Sequence, residues 1–411
     1  YSLVDSLVIG QVEGVTALAA VSAAGWLDWL VLGLAMGLAQ GFSIQVAQCF
    51  GAADYTGLRR AVGQSLLLSA GVVVLLTVLS QSLLYPALVL LRSPANTIDL
   101  TCEYLRIIFS GITLVMGFNL LSGILRSLGD SRTPLYAMTA AALCNIVLDI
   151  LFVAAFHWGV SGVAIATVIS QGVSCLICLI ALRKITFLRL SRADLRPDTR
   201  SMGTLLRLGL PVAFQNGIIA MGGLVLQGVV NGFGFIFMAG FNASSRLTGL
   251  VELAGSSLGS AMGTFAGQNL GAKKYDRIRA GVRKAMKITM IIAWTIAALV
   301  ILFGKYIIRL FISDEPQIVE QVVNAAYPFL VIMCCCLFVL YALFVYRSTL
   351  QGMGDTLFPM FSGLAELAMR VGAALILPAF LGYEAVFVGE VLAWVGADVI
   401  LLARYWTRMR R

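Results

Sequence analysis

The sequence predicts an all-α integral membrane protein with twelve transmembrane helices arranged in two six-helix lobes. Of its 411 residues, 60% are hydrophobic and only 12% are charged, whereas soluble domains carry about 25% charged residues. Long apolar runs alternate with short polar or basic segments, and a run of about 20 residues is long enough to cross a bilayer. Short motifs also recur at a nearly constant offset along the chain, which indicates an internal repeat.

Twelve apolar runs, bounded by Gly, Pro or charged residues, define the predicted spans. In chain order they are 1–10, 16–50, 58–84, 97–125, 134–156, 159–182, 205–232, 235–270, 278–308, 316–351, 357–381 and 384–404. The first run is shorter than the roughly 20 residues that a span needs, so we expect the first helix to be truncated at its start. A polar, basic segment divides the chain into an N-lobe (1–190), a linker (191–203) and a C-lobe (204–411).

The basic residues predict the orientation of these spans. Most of the 29 Lys and Arg residues follow even-numbered spans, above all in segments 183–200 and 273–287. Since positive residues are retained on the cytoplasmic side, we expect a multi-pass protein of the cell membrane with both termini cytoplasmic. Basic residues in short loops beside apolar runs indicate contact with lipid headgroups rather than nucleic acid.

Two pairs of motifs reveal the repeat. Residues 47–55 match residues 267–275 at an offset of 220, sharing Gln, Gly, Ala and Tyr. Residues 125–134 match residues 350–359 at an offset of 225. Because six spans per half give both lobes the same orientation, the lobes are expected to be related by a pseudo-twofold axis along the membrane normal. Paired lobes of this kind suggest alternating access around a central cavity.

The chemistry is concentrated in the fifth span. Asn145 and Asp149 lie four residues apart, which places them on one face of a helix. A carboxylate at membrane depth is costly and therefore marks a candidate functional site. At about 1.5 Å per helical residue, Asp5, Asp149 and Thr167 come to a similar depth, with Asn145 one turn deeper.

Two carboxylates, an amide and a hydroxyl offer the oxygen ligands that a small hard cation prefers. A buried carboxyl pair can bind a proton instead. A purely structural role, in which these groups hydrogen-bond to neighbouring helices, is the remaining alternative.

The motifs together resemble the prokaryotic MATE (multidrug and toxic compound extrusion) family of transporters. The matching features are residues 4–10, the turn 48–52, residues 125–134, Asn145 with Asp149, and residues 162–167. The resemblance covers essentially the whole chain and both repeats. It implies a proton- or sodium-coupled antiporter that exports cationic amphipathic drugs, with no cofactor beyond the coupling ion, and we expect it to act as a monomer.

The resemblance also assigns residues. It implies that the N-lobe cation site is formed by Asp5, Asn145, Asp149 and Thr167, which would be the ligands of a bound Na⁺, with a backbone carbonyl from Val163. Some members carry an acidic pair in their seventh and tenth spans. This chain has Gln215 and Asn216 in the seventh span and no carboxylate in segment 327–350, so we do not expect a cation site there.

Four further residues are candidates for the substrate cavity. Tyr1 lies one turn before Asp5, and Asp28 lies between two tryptophans, a setting that suits a cationic aromatic ligand. Glu366 and Arg370 lie four apart on the eleventh span, where they form either an intrahelical ion pair or a gate in contact with substrate. Glu252, Arg246 and Asp398 have no assigned role.

Two other functions would need different groups. A lipid-linked oligosaccharide flippase of the same broad superfamily would bind a pyrophosphate and would need several Arg or Lys residues in its cavity. Only Arg246 and Arg370 lie deep in the predicted spans. An intramembrane hydrolase would need a nucleophile–base pair or a metal set, and the sequence shows neither, so an enzyme is not expected.

Overall fold

The computed structural model describes residues 5, 8–10, 12–90, 97–232, 235–309, 316–382 and 384–410. These residues are almost entirely helical and include no strand, which confirms the predicted all-α fold. The α-helices are α1 Val15–Gly51, α2 Tyr55–Leu90, α3 Ile98–Ser110, α4 Ile112–Ser127, α5 Arg132–Asp149, α6 Gly159–Arg183, α7 Thr199–Asn231, α8 Phe235–Gly271, α9 Tyr275–Arg309, α10 Pro316–Cys335, α11 Leu337–Gly352, α12 Leu357–Ile376, α13 Pro378–Leu381 and α14 Glu384–Arg410. A π-helix, Ile150–Ala155, follows α5, and a 3₁₀ turn, Thr186–Leu188, follows α6.

The helices have the lengths and compositions of membrane spans. Among the described residues, eight helices are long and apolar enough to cross a membrane, and two bent pairs bring the number to ten if each pair is one span. The 37-residue α8 corresponds to a further predicted span. The first predicted span lies largely outside the described residues, although residues 5, 8–10 and 12 are helical.

Two predicted spans are not the single straight helices that the sequence suggested. The fourth span is divided into α3 and α4, which meet at 45° around Gly111, and the tenth into α10 and α11, which meet at 47° around Cys336. Neither break contains a proline, so the sequence carries no strong breaker signal. At Gly111 the backbone is approached by Val168 of α6, so closely that a Cβ would lie 2.7 Å from its side chain.

Local backbone geometry repeats at the offsets found in the sequence. Ala53 and Lys273, which are equivalent positions in the first pair of motifs, both have a left-handed backbone, with φ of 55° and 58°. Gly129 and Gly354, which are equivalent in the second pair, have φ of 93° and 80°. The two helix bends are related by the same offset as this second pair. The halves of the chain therefore share turns and bends as well as sequence motifs.

Helix pairing repeats in the same way. The α1–α4 pair of the first half corresponds to α8–α11 of the second, and α5–α6 corresponds to α12–α14. Where α4 crosses α1, the Ser127 hydroxyl donates to the Ser43 carbonyl over 3.0 Å. At the equivalent crossing, a Cβ on Gly352 would overlap the Gly263 carbonyl. Small residues thus allow these helix backbones to approach closely.

The chain forms two compact units, Tyr1–Gly217 (unit 1) and Ile218–Arg411 (unit 2). The boundary lies inside α7, whereas the sequence-based lobes were divided at the linker 191–203. The first half of α7 packs on α1, with the Gly209 backbone so close to Gly41 that a Cβ there would overlap it. This contact explains why unit 1 extends beyond the linker.

The segment before α7 is fixed to α2 by one buried side chain. The Gln64 amide donates to the carbonyls of Asp194 and Arg196, over 3.0 and 2.8 Å, and its oxygen accepts from the Asp198 N–H over 3.0 Å. The Asp194 carboxylate accepts from the Ser191 N–H and hydroxyl, and these hydrogen bonds hold its pKa below the ordinary value. The linker is therefore an anchored part of unit 1.

Substituting Gly63→Ala tests this anchor. A Cβ at Gly63 would overlap the Asp194 carbonyl, so we expect the thermal unfolding midpoint of the purified protein to fall, at a cost of about 1–3 kcal/mol. Gly71→Ala on the same helix is the matched control, because nothing lies within 4 Å of its Cβ and Ala is the better helix former by about 0.5–1 kcal/mol. Equal midpoints for the two variants would contradict the proposed anchor.

Asp130 gives a prediction that depends on pH. Burial opposes its ionised form, but its carboxylate accepts from the Thr133 hydroxyl over 2.6 Å and from the N–H groups of Thr133 and Arg132 over 3.0 Å, so its pKa lies below the ordinary value of 3.8. A lowered carboxyl pKa stabilises the fold above the ordinary value, and the effect is lost as the pH falls through the folded-state pKa. Asp130→Ala should therefore cost about 1 kcal/mol at pH 7.

The measurement is the unfolding midpoint of both proteins between pH 7 and pH 3, where the difference should shrink with falling pH. Asp130→Asn, which keeps an acceptor but no charge, should show less loss at pH 7 than Asp130→Ala. A difference that does not depend on pH would contradict the role of the charge.

Candidate functional site

The candidate site in unit 1 is built on the C-terminal end of α5. Asn145 and Asp149 are both fully buried on this helix, at 0% exposure. Asp149 is the last residue of α5, and the chain then changes to the π-helix Ile150–Ala155. Such π-helical turns are rare and often occur at functional sites. The sequence predicted an uninterrupted α-helix here and did not reveal this change.

The first predicted span, which precedes α1, brings a second carboxylate to the same place. Asp5 is helical and buried. Its carboxyl group is a direct electrostatic neighbour of the Asp149 carboxyl and lies beside the Asn145 amide as well. Three of the four residues predicted from their depth are thus brought together by two helices that are far apart in sequence.

These polar atoms have no partner of their own within the described part of the chain. One oxygen of Asp5, both carboxylate oxygens of Asp149 and both polar side-chain atoms of Asn145 make no hydrogen bond there. Neither carboxyl forms an ion pair with a described Lys or Arg. Each unpaired buried polar group costs about 1–3 kcal/mol, and more if it is charged. The arrangement therefore suits a small cation or a proton, which would satisfy both carboxyls.

The other two predicted members of the site lie on α6, which packs against α5. The Thr167 hydroxyl oxygen is buried and likewise has no partner among the described residues. Val163 is fully buried and belongs to the same apolar cluster as Ile9 and Tyr104. Thr167 therefore offers one more unused oxygen on the neighbouring helix.

Tyr104 on α3 is a site residue that the sequence did not reveal. It is 8% exposed, and it lies within the electrostatic range of Asp5, Asp28 and Asp149. An aromatic residue in an apolar helix usually indicates core packing, so only the folded structure shows that Tyr104 lies within the electrostatic range of three carboxyls.

Asp28 of α1 lies within the electrostatic range of Tyr104, as the pair formed by Asp5 and Asp149 does. One oxygen of Asp28 is buried without a partner among the described residues. Of the flanking tryptophans, Trp29 is 50% exposed, while the side chain of Trp26 is not among those described. Tyr1, another predicted cavity residue, lies outside the described residues.

Glu366 and Arg370 lie in unit 2, within a buried network of four charged residues. Arg370 pairs with Glu366 one turn away on α12 over 2.9 Å and with Glu390 of α14 over 2.9 Å. Arg347 of α11 pairs with the other Glu366 oxygen over 2.8 Å. The intrahelical pair is thus one part of a contact between three helices, and a role as a gate remains a prediction.

Comparison with known proteins agrees with this architecture. The profile of the family described as MatE matches residues 1–151 and 211–374. The chain is 31% identical over 318 residues to the probable multidrug resistance protein YpnP of Bacillus subtilis, covering 77% of this chain and 71% of that protein. It is 25% identical over 417 residues to the probable multidrug resistance protein NorM of Thermotoga maritima, covering 97% and 85% of the two chains.

A similar solved structure shows the outward-facing conformation of a multidrug resistance MATE family transporter of the MOP superfamily. It has a TM-score of 0.92 and 25% sequence identity, and the match covers 100% of this chain and 91% of that one. The helical arrangement is therefore that of a known transporter fold over its whole described length.

The unpartnered carboxyls lead to a prediction about stability. Substituting Asp149→Asn removes one of two facing carboxyls from an apolar interior, so we expect the purified, sodium-free protein at pH 7 to gain about 1–2 kcal/mol of stability, or roughly 2–6 °C in its unfolding midpoint. Asp99→Asn, at an exposed position of α3, is the control and should leave the midpoint unchanged. A midpoint for Asp149→Asn at or below that of the parent protein would contradict the arrangement.

Proposed function

Because the chain belongs to the MatE family of membrane transporters, we propose that it is a cation-coupled antiporter that exports cationic amphipathic compounds by alternating access. The observation that carries the proposal is the facing pair of Asp5 and Asp149, two buried carboxyls that form no ion pair with a described Lys or Arg and leave three oxygens without a hydrogen bond among the described residues. Relatives named multidrug resistance proteins support the substrate class. The protein would act as a monomer in the cell membrane with both termini cytoplasmic, and it would need no cofactor beyond the coupling ion.

The coupling ion would be a proton or Na⁺. A proton would be shared by Asp5 and Asp149, since two adjacent carboxyls cannot both ionise without repulsion. A sodium ion would be held by Asp5, Asn145, Asp149 and Thr167, whose side chains offer the oxygen ligands that hard cations prefer. In either case a bound cation reduces the repulsion within the pair, and an empty site restores it.

This repulsion provides a link to conformation. Asp5 belongs to the first predicted span, before α1, and Asp149 belongs to α5. The charge on the pair therefore determines how favourably these two helices pack. Cation binding stabilises the packed arrangement, and cation release favours separation. A compound that binds more tightly to the cation-free arrangement then competes with the ion through a shared conformational equilibrium, as antiport requires.

The charges favour a cationic substrate over the pyrophosphate of a lipid-linked oligosaccharide. Such an anion needs unengaged Arg or Lys groups in the cavity. In unit 2, Arg347 and Arg370 are both paired with carboxylates. Arg246, the other Arg expected at depth, is exposed on α8. Arg347 and Arg370 therefore offer no free guanidinium group to such an anion, and Arg246 is the one Arg of the three left to bind it.

Transport by reconstituted protein tests the proposal. Proteoliposomes containing the parent protein should expel ethidium when a proton or a sodium gradient is imposed, each gradient being tested separately. Asp5→Asn and Asp149→Asn should reduce gradient-driven transport by about tenfold or more, because the pair can no longer bind and release a cation. Asp99→Asn is the matched control and should transport at the parent rate.

Two results would contradict the proposal. Coupled transport that is unchanged in both Asp5→Asn and Asp149→Asn would remove the pair from the coupling mechanism. Translocation of a lipid-linked pyrophosphate, with no response of ethidium to either gradient, would favour the flippase.

A further inference from the structure

Unit 2 contains a second group of buried charges, which we name the unit 2 charge cluster. Four of its members are joined by ion pairs, and two further carboxyls lie within the electrostatic range of these. On α8, α11, α12 and α14, the members are Glu252, Arg347, Glu366, Arg370, Glu390 and Asp398. With all groups ionised, four carboxylates would face two guanidinium groups. The cluster therefore contains more negative than positive charge, in an apolar surrounding where charge must be neutralised.

The two guanidinium groups are engaged with two of the carboxylates. Arg347 donates to one oxygen of Glu366 over 2.8 Å, and Arg370 donates to the other over 2.9 Å. Arg370 also donates to Glu390 over 3.0 Å. Glu366 and Glu390 are thus neutralised by covalently tethered cations.

Two carboxyls remain without such a partner. Glu252 lies in the electrostatic field of Glu366, Arg370 and Glu390 but forms no ion pair with a described residue. Asp398 is 7% exposed, lies near Arg347 and Glu366, and has one oxygen with no hydrogen-bond partner in the described part of the chain. The surplus negative charge of the cluster is therefore located on Glu252 and Asp398.

The repeat explains why the surplus lies there. Arg370 is the counterpart of Asn145, because the two are related by the same offset as the first residues of α5 and α12. In unit 1 this position presents a neutral amide to two carboxyls that no described cation pairs with. In unit 2 it presents a guanidinium that is already bound to two carboxylates. The counterpart of the exchangeable cation site is thus filled by the chain itself, and only the additional carboxyls can attract an outside charge.

We propose that Glu252 binds the positively charged nitrogen of the exported organic cation, with Asp398 adding to the negative potential that attracts it. This inference rests on the proposed function and states where unit 2 recognises the charge of the substrate. Glu252 is half-buried, so that it can be reached. These carboxyls lie on the eighth and twelfth predicted spans, whereas the acidic pair of some family members lies on the seventh and tenth.

The surroundings favour an organic cation over an inorganic one. Tyr341, whose hydroxyl donates to the carbonyl of Val251 over 2.8 Å, is fully buried, whereas the half-buried Tyr346 lies near Asp398. Aromatic side chains attract organic cations. Hard inorganic cations such as Ca²⁺ take about six or more oxygen ligands, and the oxygens of Glu366 and Glu390 that bind guanidinium groups are already engaged.

Binding of the fluorescent cation rhodamine 6G to detergent-purified protein tests the proposal. Fluorescence anisotropy should show that Glu252→Gln raises the Kd by about tenfold and Asp398→Asn by about threefold, since each removes one negative charge from a region of low dielectric. Glu384→Gln, at an exposed position in the first turn of α14, is the matched control. The uncharged dye Nile red should bind Glu252→Gln and the parent protein equally, because only the charge has been removed.

Each outcome has a distinct meaning. If Glu252→Gln and Asp398→Asn bind rhodamine 6G as tightly as the parent protein, the proposal is overturned. Carboxyls that carry protons would give this same result, because they would offer the dye no negative charge. Equal weakening of Nile red would also overturn it, because the variants would then have altered packing rather than charge. If Asp398→Asn does not fold, Glu252→Gln alone decides. Failure of the parent protein to transport ethidium would instead refute the proposed function, a result that the binding measurement does not affect.

Discussion

The structure depends on one physical constraint, the cost of holding carboxylates in an apolar interior. Moving an ion out of water costs several kcal/mol even after the protein relaxes. Asp5 and Asp149 face each other at this cost, and the described residues provide neither with a cation. An outside cation must therefore reduce the charge. In the proposed mechanism, the presence of that cation also changes how well the helices pack, because the two carboxyls belong to different helices, and ion binding would thereby drive movement.

The two halves of the chain satisfy this constraint differently on nearly the same backbone. Turns, helix starts and bends recur at the two offsets that relate the sequence motifs, yet the position of Asn145 in unit 1 is taken by Arg370 in unit 2. A tethered guanidinium cannot leave, so Glu366 and Glu390 are permanently neutralised. Under the proposed function, duplication of one fold would thus yield one site that can exchange its cation and one that cannot, and the second unit would be left free to recognise the substrate.

The sequence predicted the features that depend on local composition and period. Asn145 and Asp149 stand out because polar groups four residues apart are conspicuous in an apolar helix, and the repeat was legible because turn motifs need particular residues. The bends around Gly111 and Cys336, and the π-helix after Asp149, could not be predicted, because no proline marks them and they depend on contacts between helices. Tyr104 was missed for the same reason, since an aromatic residue in an apolar run has no signature of a site. The network around Glu366 needed the structure, because Arg347 and Glu390 reach it from other helices.

The most direct test of the central claim is whether the coupling cation and the exported compound compete for the protein. The Kd of rhodamine 6G should be measured by anisotropy in the parent protein and in Asp149→Asn, over a range of pH and, separately, of sodium concentration. Competition predicts that the affinity of the parent protein for the dye falls as one of the two cations becomes more concentrated, and that Asp149→Asn loses this dependence. A parent affinity that responds to neither cation, or a dependence that persists unchanged in Asp149→Asn, would contradict it.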